Sequence, residues 1–172
     1  MPELVPVLSK DDIRKMVSVL AQKISFDYES RSLVLIGVLK GAFVFLADLT
    51  RDITIPHEID FLRAASYGSG TSSSETITLT KKIETDIQGK DVLLVEDIID
   101  TGLTLSYLLE YVKRLQPNTI KVCTLIDKRQ RRQKEIQVDY AAHVTQEGFL
   151  VGYGLDYAEK YRNLPEIYHL KL

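Results

Sequence analysis

Residues Asp91–Leu105, reading DVLLVEDIIDTGLTL, restrict the possible fold more than any other stretch. Four consecutive apolar residues, Val92 to Val95, run into an acidic pair, Glu96 and Asp97. Two isoleucines follow, then Asp100-Thr101-Gly102-Leu103-Thr104, and then helical periodicity. A short apolar run bounded by polar turn residues is the pattern of a strand buried on both faces. The stretch therefore predicts a strand, an acidic turn, a loop of hydroxyls and glycine, and a helix. In an open parallel sheet, ligands bind beyond the carboxyl ends of such strands. Thr101, Gly102 and Thr104 fall where the helix starts, so backbone N–H groups, two hydroxyls and the helix dipole can face one anion, as a phosphate requires. Carboxylates one step upstream suit hydroxyls or a metal, and together the two halves point to a phosphorylated sugar. Taken singly, each of these residues also serves as ordinary turn chemistry, and Asp100 alone as an N-cap.

Composition narrows the class. A chain of 172 residues with 45% hydrophobic content can bury the core of one domain. With 22 basic and 24 acidic side chains, the net charge of −2 gives no reason to expect general nucleic-acid affinity. The single cysteine, Cys123, has no internal disulfide partner and fits a reducing compartment as a small core residue. No apolar run approaches membrane-spanning length and the N-terminus lacks a signal-peptide pattern, so a cytoplasmic protein is expected.

Along the chain, strands alternate with helices. Ser9 to Ser25 predicts a first helix, with Ser9 as N-cap, Asp11 and Asp12 in the first turn, and Ile13, Met16, Val17, Leu20 and Ile24 on one face. Ser32–Val38 predicts a buried strand, followed by Leu39-Lys40-Gly41 and a helix opening at Ala42. The glycine there lets backbone approach a ligand closely. His57–Ala65 and Thr76–Leu79 carry strand patterns, and the glycine- and serine-rich stretch from Ser66-Tyr67 to Ser74 has little to bury and is expected to be mobile. Ser106–Leu115 continues the helix, Thr119–Ile126 is a strand leading to Asp127-Lys128-Arg129, and Tyr140–Thr145 is one more strand. The basic run Lys128, Arg129, Arg131, Arg132, Lys134 reads as a solvated loop. No pair among His57, His143 and His169 has zinc-site spacing. Phe149–Pro165, FLVGYGLDYAEKYRNLP, is a glycine-interrupted apolar strand and a polar, aromatic-rich loop, in which Phe149 is core by default and Asp156 a turn residue.

Three ordered motifs carry a family resemblance over nearly the whole chain. VLLVEDIIDTGLTL resembles the phosphoribosyl-pyrophosphate (PRPP) motif of type I phosphoribosyltransferases, and Asp100 before Thr-Gly is typical of the branch acting on 6-oxopurines. Leu39-Lys40-Gly41 is similar to that family's pyrophosphate loop, where the peptide before the lysine can be cis. VGYGLDYAEKYRNLP resembles the C-terminal signature of hypoxanthine and hypoxanthine-guanine phosphoribosyltransferases.

The resemblance implies an α/β fold: a central, mainly parallel sheet flanked by helices, with a small hood from the terminal segments. On it, one domain spans 1–172, with a core of about 9–134 and a hood of about 1–8 and 135–172. It implies transfer of the phosphoribosyl group from PRPP to hypoxanthine, and guanine, with Mg2+, by a homodimer or homotetramer. Glu96, Asp97, Asp100, Thr101, Gly102, Leu103 and Thr104 would hold the ribose and 5′-phosphate, with Asp100 taking a proton from the purine. Leu39, Lys40, Gly41 and Arg162 would meet pyrophosphate. Lys128, Phe149, Leu150 and Asp156 would meet the base, and Glu96, Asp97 and Asp156 the metal. Ser66 and Tyr67 would open a lid. Two alternatives stay open: a xanthine-preferring relative, and a nucleotide-sensing RNA-binding regulator supported only by the basic run.

Overall fold

The computed structural model describes residues 2–67 and 76–172. In chain order these form β1 (Glu3–Leu8), α1 (Lys10–Asp27), β2 (Leu33–Val38), α2 (Phe43–Asp52), β3 (His57–Tyr67), β4 (Thr76–Lys81), β5 (Asp91–Ile99), α3 (Leu103–Arg114), β6 (Thr119–Lys128), β7 (Tyr140–Thr145), β8 (Leu150–Val151) and β9 (Ile167–Lys171).

Six strands make the main sheet, in the order β4-β3-β2-β5-β6-β7, and only the β3–β4 pair is antiparallel. Both faces of its centre are covered, which is why the central strands read as unbroken apolar runs. Leu33, Leu35, Leu93, Val95, Cys123 and Leu125 turn toward α1 and α2, while Val34, Ile36, Val92, Leu94 and Val122 turn toward α3. This period of two is the pleat of the sheet. The Cys123 thiol is fully buried, and burial pushes its pKa up.

The acidic pair does not form a turn. β5 continues through Glu96 and Asp97 because β6 keeps pairing with it, Glu96 opposite Thr124, Ile98 opposite Ile126 and Ile99 opposite Asp127. Two carboxylates thus belong to the last residues of a central strand.

A second, three-stranded antiparallel sheet, β1-β9-β8, joins the two ends of the chain. Pro6 lies in its edge strand β1, beside a register shift, where a missing N–H is tolerated. β7 pairs in parallel with β6, so the expected hood boundary at 135 is too early: residues 140–145 belong to the main sheet.

α1 begins with a reciprocal cap. Asp12 N donates to Ser9 Oγ at 3.1 Å, and Ser9 N donates to Asp12 Oδ2 at 3.0 Å. The bond from the Ser9 backbone holds the Asp12 carboxyl below its ordinary range. Ser9→Ala is expected to lower Tm by about 2–4 °C, the usual worth of one cap in a chain of this size, as read by calorimetry. Among the described residues, no helix is long and apolar enough to cross a membrane.

Candidate active site

The carboxyl ends of β2 and β5, with the loop after β8 packed on them, bring the three sequence motifs together, and the end of β6 adds Lys128. Glu96 is almost fully buried. Its Oε1 accepts from Asp97 N at 3.1 Å, and Asp97 Oδ1 accepts from Ile98 N at 2.7 Å. Neither carboxylate makes an ion pair among the described residues. Burial pushes both pKa values up, and the neighbouring Asp97 charge raises Glu96 further. Underpaired oxygen donors of this kind suit a hard divalent cation.

Such a pair costs stability while it stands alone. The stability that a proton on Glu96 supplies is fully present below the ordinary carboxylate range. It is lost as pH rises through the elevated folded value. Glu96→Gln is therefore expected to raise the Tm at pH 8 relative to pH 5, as differential scanning fluorimetry at both pH values checks.

The next four residues form the helix entry. Gly102, not Asp100, is the N-cap of α3, and its φ of 82° is a left-handed conformation that glycine adopts without strain. Thr101 Oγ1 accepts from Leu103 N at 3.3 Å. A cavity of about 140 Å³ opens here, bounded by Glu96, Asp100, Thr101, Gly102 and Thr104. The first-turn N–H groups of a helix have no partner further back in it, so this hollow is electropositive at its floor.

Asp100 stands at the rim. Its Oδ2 accepts from Arg131 at 3.3 Å and lies 3.9 Å from Lys128 Nζ, while its Oδ1 is buried without a hydrogen-bond partner. Lys128, at the end of β6, is itself largely buried. Sequence reasoning put both residues in the site, and the fold brings their charged ends together.

The Leu39–Lys40 peptide is cis. Gly41 lies against β5 so closely that a Cβ at residue 41 would overlap the Asp97 carboxylate. On its other side, Gly154 (φ 98°) leaves room for the Gly41 carbonyl. The C-terminal motif therefore packs directly on the pyrophosphate-loop candidate. Arg162 donates to Gly154 O at 2.8 Å and pairs with Asp156 at 3.4 Å and Glu159 at 3.2 Å. Glu159 also accepts from Lys40 Nζ at 2.8 Å.

Phe149 is not the core residue that its apolar surroundings imply. Half of it is exposed, and it meets Tyr157 edge-on at 5.6 Å, leaving an aromatic surface open. Leu150, in contrast, sends its side chain into the core, so no side-chain contact to a base is available from it. Asp156 does not join Glu96 and Asp97: among the described residues no three His, Cys, Asp or Glu side chains close on one point. Ser66 and Tyr67 end β3, and the rest of the expected lid, residues 68–75, lies outside the described residues.

The basic run is the clearest difference from expectation. Arg132 has little side-chain exposure and pairs with Asp127 at 2.6 Å, Arg129 also pairs with Asp127, at 3.1 Å, and Arg131 pairs with Asp100. Four of the five cations thus pair with carboxylates, Lys128 and Arg132 with little exposure, while Arg129 and Arg131 keep more than half of their side-chain surface in solvent. A charge run shows no periodicity that singles out its buried member, although a lone Asp127 at the end of an apolar strand is a hint that some cation must fold back onto it.

A larger cavity of about 740 Å³ lies between α1 and α2, lined by Val17, Phe43, Val44, Tyr153 and Leu164. It contains neither acid of β5 and no part of the α3 entry, so it is not where the motifs converge.

Comparison with known proteins agrees with this geometry. Residues 8–158 match the family profile described as the phosphoribosyl transferase domain. The hypoxanthine-guanine phosphoribosyltransferase of Bacillus subtilis is 44% identical over 96% of this chain and 92% of its own. The hypoxanthine phosphoribosyltransferase of Salmonella typhimurium is 41% identical over 94% and 92%. A crystal structure of a hypoxanthine-guanine phosphoribosyltransferase from Bacillus anthracis superposes with a TM-score of 0.92 at 41% identity, covering 99% of this chain and all of that one. A hollow at a helix entry, a buried Glu96 on its wall with Asp97 next in the strand, and matches of this extent lead to one assignment: the chain belongs to the phosphoribosyltransferase family, in the branch of the hypoxanthine and hypoxanthine-guanine enzymes.

Proposed function

We propose that this chain is a purine-salvage transferase moving the 5-phosphoribosyl group from PRPP to hypoxanthine, and to guanine, with release of pyrophosphate. The observation that carries the substrate assignment is the Asp100–Lys128 pair at 3.9 Å beside the α3 hollow. On a 6-oxopurine, the imidazole nitrogen N7 and the exocyclic oxygen lie on one edge, so one carboxylate and one ammonium held side by side meet both. Lys128 offers only donors, which suits that oxygen and opposes the amino group of adenine.

In this reading the 5′-phosphate sits in the hollow formed by Thr101, Gly102 and Thr104, and its binding energy orients the reacting carbon. The bond from C1′ to the pyrophosphate oxygen breaks as the bond from C1′ to the purine N9 forms. Asp100 Oδ1, buried and without a partner, takes the proton from N7 as N9 attacks. Glu96 and Asp97 steady the ribose hydroxyls and the positive charge that grows on the ring. Phe149 covers one face of the base.

Lys40, Gly41 and Arg162 face the leaving group. Mg2+ would be held by Glu96 and Asp97, with oxygens of PRPP and water completing its shell. Bound there, it neutralises charge on the pyrophosphate. Asp156, which stands apart from those two acids, would act from the C-terminal loop on the base and on the water around the ion. Ser66 and Tyr67 begin the lid that shields the cationic sugar from water.

A homodimer or homotetramer belongs to the same reading, supported by the groove between α1 and α2, where Phe43 is exposed among charged residues. Analytical ultracentrifugation measures it. The function is tested by offering hypoxanthine, guanine, xanthine, adenine and uracil separately with PRPP and Mg2+ and recording pyrophosphate release. Release with the first two and not with adenine or uracil is expected; preference for xanthine over both would replace the base assignment.

A further inference from the structure

Arg132 makes more contacts to the site's framework than any residue so far given a role. Its guanidinium is about nine-tenths buried and fans out over two strand ends. Nε donates to Asp100 O at 2.9 Å. Nη2 reaches Ile99 O at 3.3 Å, Lys128 O at 3.1 Å and Asp127 Oδ1 at 2.6 Å. The first two carbonyls belong to the loop after β5 and to the end of β5, and the third to the end of β6. A flat fork of five donors can satisfy three carbonyls and a carboxylate at once, and a lysine ammonium cannot.

We infer that Arg132 is the positioning residue for base recognition, locking Asp100 and Lys128 at the separation that a 6-oxopurine edge requires. The inference rests on the function proposed above. It adds that beyond the last ladder pair, Ile99 opposite Asp127, the spacing of the two groups is fixed by one guanidinium gripping the backbone of both. The 5′-phosphate loop has its own tether: Thr101 O accepts from Gln133 N at 2.8 Å and from Lys134 N at 3.1 Å, both backbone bonds independent of the Arg132 side chain. Disturbing the guanidinium should therefore reach the purine before it reaches the phosphate.

The same geometry explains why the turn after β6 folds back over the α3 entry. A Cβ on Gly102 would come within 2.7 Å of Lys134 O and 3.3 Å of Arg132 Cδ, so this contact depends on a glycine there. Asp127, nearly without exposure, anchors the fork from below and is held a second time by Arg129. Removing either member of the buried pair would strand the other charge, so the informative changes are conservative ones.

Arg132→Lys keeps the charge and loses the fork. With wild type alongside, steady-state kinetics with hypoxanthine and PRPP varied in turn should show the hypoxanthine KM rising by about tenfold or more, as expected for loss of an orienting neighbour. The PRPP KM should change far less, and discrimination between hypoxanthine and adenine should narrow. Parallel rises in both KM values, or a lowered Tm with both unchanged, would reduce Arg132 to a brace and overturn the inference. Should Arg132→Lys fail to fold, Asp127→Asn, which leaves the arginine and weakens its anchor, is expected to give the same split; loss of fold in both variants by circular dichroism also overturns it. Wild-type turnover separates the two claims. An inactive wild type defeats the proposed function, whereas an active one with unsplit KM values defeats only the role of Arg132.

Discussion

Asp100→Asn is expected to lower kcat by about 10²–10⁴-fold, the usual contribution of a positioned general base, with the KM for PRPP nearly unchanged. Asparagine has the same shape and keeps an oxygen to accept from Arg131, so the loop geometry has no reason to move. What disappears is the proton acceptor. Its orphaned, buried Oδ1 makes the case stronger than sequence alone does, since a buried acceptor without a partner is costly unless a ligand supplies the donor. Gly102 already caps α3, so the substitution removes no cap, and Tm should hold. Burst and steady-state measurements of nucleotide formation at saturating PRPP check the split; equal losses in rate and PRPP affinity would assign Asp100 a purely structural place.

Gly41→Ala should be nearly as damaging for a different reason. The backbone at residue 41 is not in the left-handed region, so alanine brings no conformational strain. Its methyl group would, however, occupy the space of the Asp97 carboxylate. The side chain that gives way is one proposed to hold ribose and metal. A displacement on the order of 1 Å in such a group costs about 10²-fold, and kcat/KM for PRPP is expected to fall by that factor. Gly89→Ala makes the control. At Gly89 φ is 71° and nothing lies within 4 Å, so strain without collision should lower Tm and leave the kinetics intact. A Gly41→Ala enzyme with wild-type kcat/KM would show that residue 41 and the Asp97 carboxylate are not in contact during turnover.

The fold was readable wherever burial is two-sided. Val92–Val95 and the run at Leu33–Val38 have no other comfortable state than central strands, and the cap of α1 is written in Ser9 and Asp12. The readings that failed concern residues whose state is decided by a distant partner. Glu96 and Asp97 look like a turn locally, and it is the ladder with β6 that keeps them extended. Asp100 looks like an N-cap until the left-handed Gly102 takes that position. Phe149 sits among apolar residues yet is half exposed, because its neighbour Leu150 fills the core place. β1 and β9 pair only with each other and with two residues of β8, and Pro6 hides the first of them from any propensity argument. Arg132 is the extreme case, a mostly covered side chain inside a string of charges, distinguishable only when β5 and β6 lie side by side.

The place of Cys123 gives the molecule a built-in clock. Its sulfur is sealed in the middle of β6, with no exposure and its ionisation suppressed by burial. It is also the only thiol in the chain. An alkylating reagent can therefore score it only during openings large enough to part the sheet from α1 and α2. The rate at which iodoacetamide labels the native protein should track whole-molecule opening rather than local fraying, and it should slow when PRPP and a nucleotide analogue close the far end of the same strands.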